Sequence, residues 1–214
     1  MNRSAAAPPR KAPTRSERKA RTRGELLEAA ERLFRRDGFH ATSVDAIADE
    51  AGYTKGAVYS NFGGKEDLFF AVYERHVARR TAAMHASIDR SSSAAGALRT
   101  GIREAARRTD DGWMAVFYEF WAHVLRHPQH RARFAALHRQ ALAPLVRGVE
   151  ALSRERGIEP PLSPDLLAAA HLALGNGLQL DRLTRPEDID VEAIERATMT
   201  LAGATTPLGE GDSE

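Results

Sequence analysis

The stretch Ala51–Leu68, "AGYTKGAVYSNFGGKEDL", holds four glycines between two segments whose apolar residues recur at helical spacing. Gly52 reads as the stop of one helix. Thr54 offers a side-chain oxygen to cap the next. Gly56 is the unusual residue, because it falls in the first turn of that new helix, where glycine costs up to roughly 1 kcal/mol against alanine. The helix reaches about Ser60, too short to be stable alone. Only Val58 and Phe62 can anchor it, while Thr54, Lys55, Tyr59, Ser60 and Asn61 are hydrogen-bonding residues. A short helix held by its neighbours, with its polar side turned outward and a glycine where nothing protrudes, suits close approach to another surface.

The segments on either side extend the pattern. Leu26, Leu27, Ala30, Leu33 and Phe34 form a helical stripe that "DGF" (Asp37–Phe39) ends. Thr42 and Asp45 resemble a capping box with Asp in place of Glu/Gln, and Val44, Ile47, Ala48 and Ala51 follow at i, i+3, i+4, i+7. Lys65, Glu66 and Asp67 open a longer helix carrying Leu68, Phe69, Val72, Tyr73 and His76. Two short helices joined by a glycine turn are the sequence form of a helix-turn-helix. Hydroxyls, amides and a lysine suit phosphate oxygens and base edges, and the Ala57 methyl can meet a thymine methyl. The helix starts at Thr42 and Lys65 can present backbone N–H groups to phosphates.

Together "ATSVDAIADEAGYTKGAVYSNFGGKEDLF", the arginine-led first helix and the "LF" and "GF" pairs resemble the DNA-binding domain of the TetR family of bacterial repressors, over about Arg23 to Val72. The resemblance implies an all-α homodimer of about nine helices. The first three bind a near-palindromic operator and the rest form a ligand pocket and dimer interface. Position by position, it implies phosphate contacts at Thr42, Tyr59, Ser60, Asn61 and Lys65. It implies a groove-facing set of Thr54, Lys55, Gly56 and Ala57. Tyr53 departs from the family, which more often has a small aliphatic residue after the glycine.

Beyond residue 90, "SSSAAG" interrupts the pattern, a helix spans about Ala97 to Arg108, and "TDDG" ends it. "WMAVFYEFWAHVLRHP" is apolar over well over half its circumference, with only Ala115, Glu119, Ala122, His123 and Arg126 on the remaining arc; such a helix is buried. A long helix follows Pro128 and should kink at Pro144. Ser163–Pro164 opens another through about Leu183, and a last one ends near Gly203. Trp113, Phe117, Tyr118 and Trp121 can pack the core or, where the resemblance places the pocket, line an apolar site. His171 is either a core histidine or a ligand contact. "LGNGL" follows no strand and lacks Lys-Ser/Thr, so it is not a phosphate loop; Leu174, Gly177 and Leu178 suit close helix–helix approach in a dimer interface.

Composition bounds the rest. Residues 1–23 hold eight Lys/Arg against Glu17 alone, a surplus of seven in a chain of net charge +2, so residues 24–214 carry −5. A basic arm on an acidic body fits a polyanion partner, or is simply a solvated tail. The expected organisation is a disordered basic arm at 1–17, the DNA-binding domain at 18–64, the ligand-binding and dimerisation domain at 65–203 and a disordered tail at 204–214. With no cysteine, no long apolar run and no secretory signal, the chain reads as a cytoplasmic protein that meets no membrane. Glu119, His123 and His127, at i, i+4, i+8, drift about 40° per step and converge poorly on a metal. No nucleophile–base set is present, so neither catalysis nor a cofactor or metal is expected. The expected function is a TetR-type repressor released by a small apolar or aromatic ligand. The alternative is a regulator of the same kind without a small-molecule ligand.

Overall fold

The structure, a computed structural model, describes residues 14–107, 112–157, 159 and 162–201. The arm at 1–13, the tail at 204–214 and most of "TDDG" lie outside them. Among the described residues the elements are nine α-helices and one 3-10 turn: α1 Arg15–Asp37, α2 Val44–Ala51, α3 Lys55–Asn61, α4 Lys65–Asp89, α5 Ala94–Arg107, α6 Trp113–Arg126, the turn Pro128–His130, α7 Arg131–Arg156, α8 Pro164–Thr184 and α9 Val191–Leu201. Contacts divide the chain into two units, Met1–Val72 and Tyr73–Glu214. The division falls inside α4, so its first two turns belong with the first unit.

In the first unit, α1 begins earlier than the arm expected at 1–17 allows. Thr14 accepts from the Glu17 N–H at 3.2 Å and the Glu17 carboxylate accepts from the Thr14 N–H at 2.6 Å, a complete capping box. Leu26, Ala29, Ala30, Leu33 and Phe34 of α1 are buried. Phe34, Phe39 and Phe69 meet with ring centroids 5.6–5.8 Å apart, and this three-ring contact fastens α4 to α1.

The second unit is built on α7. Leu98, Ile102, Leu152 and Met199 form a core that joins α5, α7 and α9. Arg103 grips Glu195 with two hydrogen bonds of 2.6 and 2.9 Å, binding α5 to α9. Pro144 lies buried inside an unbroken α7. On α6, Trp113, Val116, Phe117, Phe120 and Val124 are buried as its pattern requires. His123 corrects that pattern: it is buried too, stacked between Phe120 and His127 with centroids 5.6 and 3.9 Å away. Leu125, inside the apolar run, is 60% exposed.

Candidate nucleic-acid interface

α2 starts one residue later than its sequence suggests. Ser43 is the N-cap, its Oγ accepting from the Ala46 N–H at 3.0 Å. Thr42 is 2% exposed and its hydroxyl donates to the Gly38 carbonyl at 2.7 Å. The Thr42 hydroxyl therefore closes the α1–α2 loop and offers no outward donor. At the other end of α2, Gly52 takes φ 73°, ψ 31°, the left-handed conformation that glycine adopts freely. Its N–H and that of Tyr53 return to α2 carbonyls, which turns the chain sharply into α3.

Thr54 caps α3, accepting from the Ala57 N–H at 3.2 Å. Val58 and Phe62 are buried behind it. Thr54, Lys55, Gly56, Tyr59 and Ser60 are exposed, Ala57 and Asn61 half-buried. The outward face is thus the one the sequence marks, and Tyr59 is 52% exposed upon it. A Cβ added at Gly56 would meet only Thr54 Oγ1, at 3.7 Å. Among the described residues nothing requires glycine there.

Several of these side chains have local partners. Lys55 Nζ reaches Asp45 at 3.0 Å, and that hydrogen bond holds the ammonium above its usual pKa. Ser60 Oγ and Asn61 Nδ2 donate to the Ala57 carbonyl at 2.9 and 2.8 Å. Lys65 differs in kind. Its ammonium donates to the Phe39 and His40 carbonyls at 2.9 and 3.2 Å and lies 4.6 Å from the Phe39 ring centroid. It ties the start of α4 to the α1–α2 loop, and two of its three donors are engaged there.

Two residues that position α3 escape sequence reasoning. Arg23 of α1 donates to the Asn61 carbonyl at 2.6 Å and lies 4.1 Å from the Phe62 ring centroid. It places positive charge at the negative end of α3. Tyr53 accepts from Thr22 Oγ1 at 3.3 Å and donates to the Glu25 carboxylate, so the departure from the family pattern ties the turn to α1. Both contacts span about thirty residues or more, beyond any local signal. Arg15, Arg18, Lys19, Arg21 and Arg23 are exposed on the first turns of α1, and the Arg23 contact sets that basic end beside the C-terminus of α3.

In the second unit Phe117 packs against Tyr73, Trp113, Tyr118, Trp121 and Phe134 with centroids 5.3–6.2 Å apart. Those separations are direct ring contact, so the rings fill one another's space. Burial pushes the Tyr118 phenol pKa up, against a smaller lowering by Asn176 of α8. Tyr73 meets His138 Nδ1 at 3.3 Å. His171 is 4% exposed, its Nε2 has no hydrogen-bond partner among the described residues, and burial lowers its pKa. The His123 and His127 rings lie face to face rather than aiming nitrogens at one point, and among the described residues no group of three His, Cys, Asp or Glu is placed to hold a metal. Gly177 on α8 is exposed with open space above it, and Leu174 and Leu178 flank it half-buried. A separate cavity of about 340 Å³ lies between α4, α5 and α7; none of Trp113, Phe117, Tyr118, Trp121 or His171 lines it. No described helix is long and apolar enough to cross a membrane.

Comparison with known proteins agrees with both units. Residues 26–72 match the family described as bacterial regulatory proteins, tetR family, and residues 94–206 match the BetI-type transcriptional repressor C-terminal family. The transcriptional activator FasR of Mycolicibacterium smegmatis is 35% identical over 47% of this chain and 41% of its own length. The transcriptional repressor AcnR of Corynebacterium glutamicum is 32% identical over 59% of this chain and 62% of its own. The chain therefore spans about two fifths to three fifths of these curated relatives. Among solved structures, a putative regulator from Pseudomonas aeruginosa PAO1 superposes with TM-score 0.70 at 22% identity, over 86% of this chain and 89% of that one. A putative regulator from Saccharomonospora viridis, solved with choline, gives 0.69 at 20% identity over 86% and 96%. FadR of Bacillus subtilis, solved with stearoyl-CoA, gives 0.63 at 16% over 84% and 96%. At these identities the structures speak for the fold alone. With more than half its length matched by the second model and the helix-turn-helix by the first, the chain belongs to the tetR family of bacterial regulatory proteins, with a BetI-type C-terminal domain.

Proposed function

We propose that the protein is a dimeric transcriptional repressor that leaves its operator when a small molecule binds the second unit. The observation that carries the DNA half is α3: polar outward, anchored by Val58 and Phe62, and open above Gly56. Thr54, Lys55, Gly56 and Ala57 would face the major groove, and Tyr59, Ser60 and Asn61 the phosphates. Lys65 would reach a phosphate with its remaining donor, and the start of α2 would contribute backbone N–H groups rather than the Thr42 side chain. Two copies would set their α3 helices one turn of DNA apart, about 34–36 Å, on a near-palindromic site. Leu166, Ala173 and Gly177 are exposed at i, i+7, i+11 on α8, an apolar strip suited to helix–helix pairing between copies beside Leu174 and Leu178. A cavity of ligand size and neighbours that hold choline or stearoyl-CoA support a small-molecule effector over a ligand-free regulator. The effector must bind the DNA-free arrangement more tightly, or no release follows.

The test is DNase protection of the DNA upstream of the protein's own coding sequence. A protected near-palindrome with the native protein, lost with Gly56→Glu while the dimer persists on gel filtration, is expected. Equal protection by the variant would refute the assignment of α3.

A further inference from the structure

We infer that the cavity between α4, α5 and α7 takes a small amphipathic oxyanion, its head on Arg147 and Arg154 and its apolar body over Gly148 and Ala151. The inference rests on the effector reading above, and gives the effector a place and a chemical class. The hollow, about 340 Å³, exists because small residues face one another: Ala94 and Ala97 on α5, Gly148 and Ala151 on α7. Met84, Leu98 and Pro144 complete an apolar wall. That volume is at the small end of the range for ligand sites, roughly 300–1,000 Å³.

The rim supplies the charge. Arg147 and Arg154 are seven residues apart on one helix, two turns or about 10 Å, and so share an edge. Arg147 Nη2 lies against His85 Nε2. Guanidinium only donates, so that imidazole nitrogen is the acceptor of the contact. Among the described residues Arg147 has no carboxylate partner and Arg154 makes no side-chain bond. Glu150 between them is one carboxylate against two guanidiniums and forms an ion pair with neither. Glu155, the next acid, accepts from the Ala94 N–H at 2.6 Å and is engaged at the start of α5. Two unneutralised guanidiniums beside an apolar hollow match a carboxylate or phosphate on a short hydrocarbon chain, gripped bidentately.

Calorimetric titration of the full-length protein with four probes of equal chain length decides the matter: octanoate, octyl phosphate, octanol and octyltrimethylammonium. At least one oxyanion is expected to bind about tenfold or more tightly than octanol and the cation. The stronger of the two oxyanions identifies the head group. Arg147→Gln with Arg154→Gln should weaken the oxyanion about tenfold and leave octanol unchanged. Gly148→Leu should fill the hollow and abolish binding of all four, with a retained thermal transition as the folding control. Octanol or the cation binding as tightly as the oxyanions, no oxyanion binding at millimolar concentration, or an unchanged double variant would each overturn the inference. Selective DNA retention by the same preparation separates the two levels. DNA binding without oxyanion binding overturns only this site; loss of both overturns the regulator reading itself.

Discussion

Replacing Gly56 with alanine should move stability and DNA affinity in opposite directions. The residue sits in the first turn of α3 at an ordinary helical φ, since the described glycines with positive φ are Gly38, Gly52, Gly112 and Gly157. The new Cβ meets only Thr54 Oγ1 at 3.7 Å, an ordinary contact that leaves the cap bond to Ala57 intact. Alanine is favoured by roughly 1 kcal/mol inside a helix and about half of that near a helix start, so the protein should gain ~0.5 kcal/mol. For a chain of this size that raises the melting temperature by about 1–2 °C. In the proposed complex the same methyl would stand at the closest approach to a groove floor. Displacing one base contact costs about 1–3 kcal/mol, so operator affinity should fall about 5- to 150-fold. A melt followed by far-UV circular dichroism reads the first quantity and fluorescence anisotropy with labelled operator reads the second. Affinity that holds or rises as the melting temperature rises would refute the claim that Gly56 is kept for the DNA surface.

Arg23→Ala removes a charge-assisted hydrogen bond and an exposed cation–π contact from the end of α3; a loss of about 1–2 kcal/mol in chemical denaturation is expected, and Arg23→Lys should recover only part of it. Deleting residues 2–13 leaves the Thr14 cap of α1 in place and removes Arg3, Arg10 and Lys11, so the slope of log affinity against log salt should flatten; an unchanged slope would make the arm a bystander. Burial lowers the pKa of His138 and His171 in the folded chain, so the unfolded chain binds more protons below about pH 6.5. Stability should therefore fall as pH drops from 7.5 to 5.5, and replacing both with Gln should flatten that dependence in denaturant titrations.

The helix order was legible because periodicity and caps are local: Gly52, Thr54 and Ser163–Pro164 fall where the structure ends and starts helices. The outward face of α3 was legible for the same reason. Thr42 was misplaced by one residue because Thr and Ser are adjacent and both can cap; only the fold shows that Ser43 caps while Thr42 bonds backward to Gly38. The complete capping box at Thr14 and Glu17 was present in sequence but masked by the basic composition around it. Arg23 on Asn61, Tyr53 on Thr22 and Glu25, and Lys65 on the Phe39 and His40 carbonyls join residues distant in sequence, so spacing carries no trace of them. The cavity escaped for another reason. It is made by what Ala94, Ala97, Gly148 and Ala151 lack, and small residues read equally well as close helix packing.

In the proposed function α3 reads DNA as one half of a two-fold pair. The most direct measurement is selection of bound fragments from a genomic DNA pool with the purified protein, repeated with Gly56→Glu. One enriched near-palindromic motif is expected, with half-site centres a whole number of helical turns apart, about 10 base pairs or a multiple of it. That motif should vanish with the variant. Enrichment without a repeated half-site, or the same motif recovered by Gly56→Glu, would contradict it.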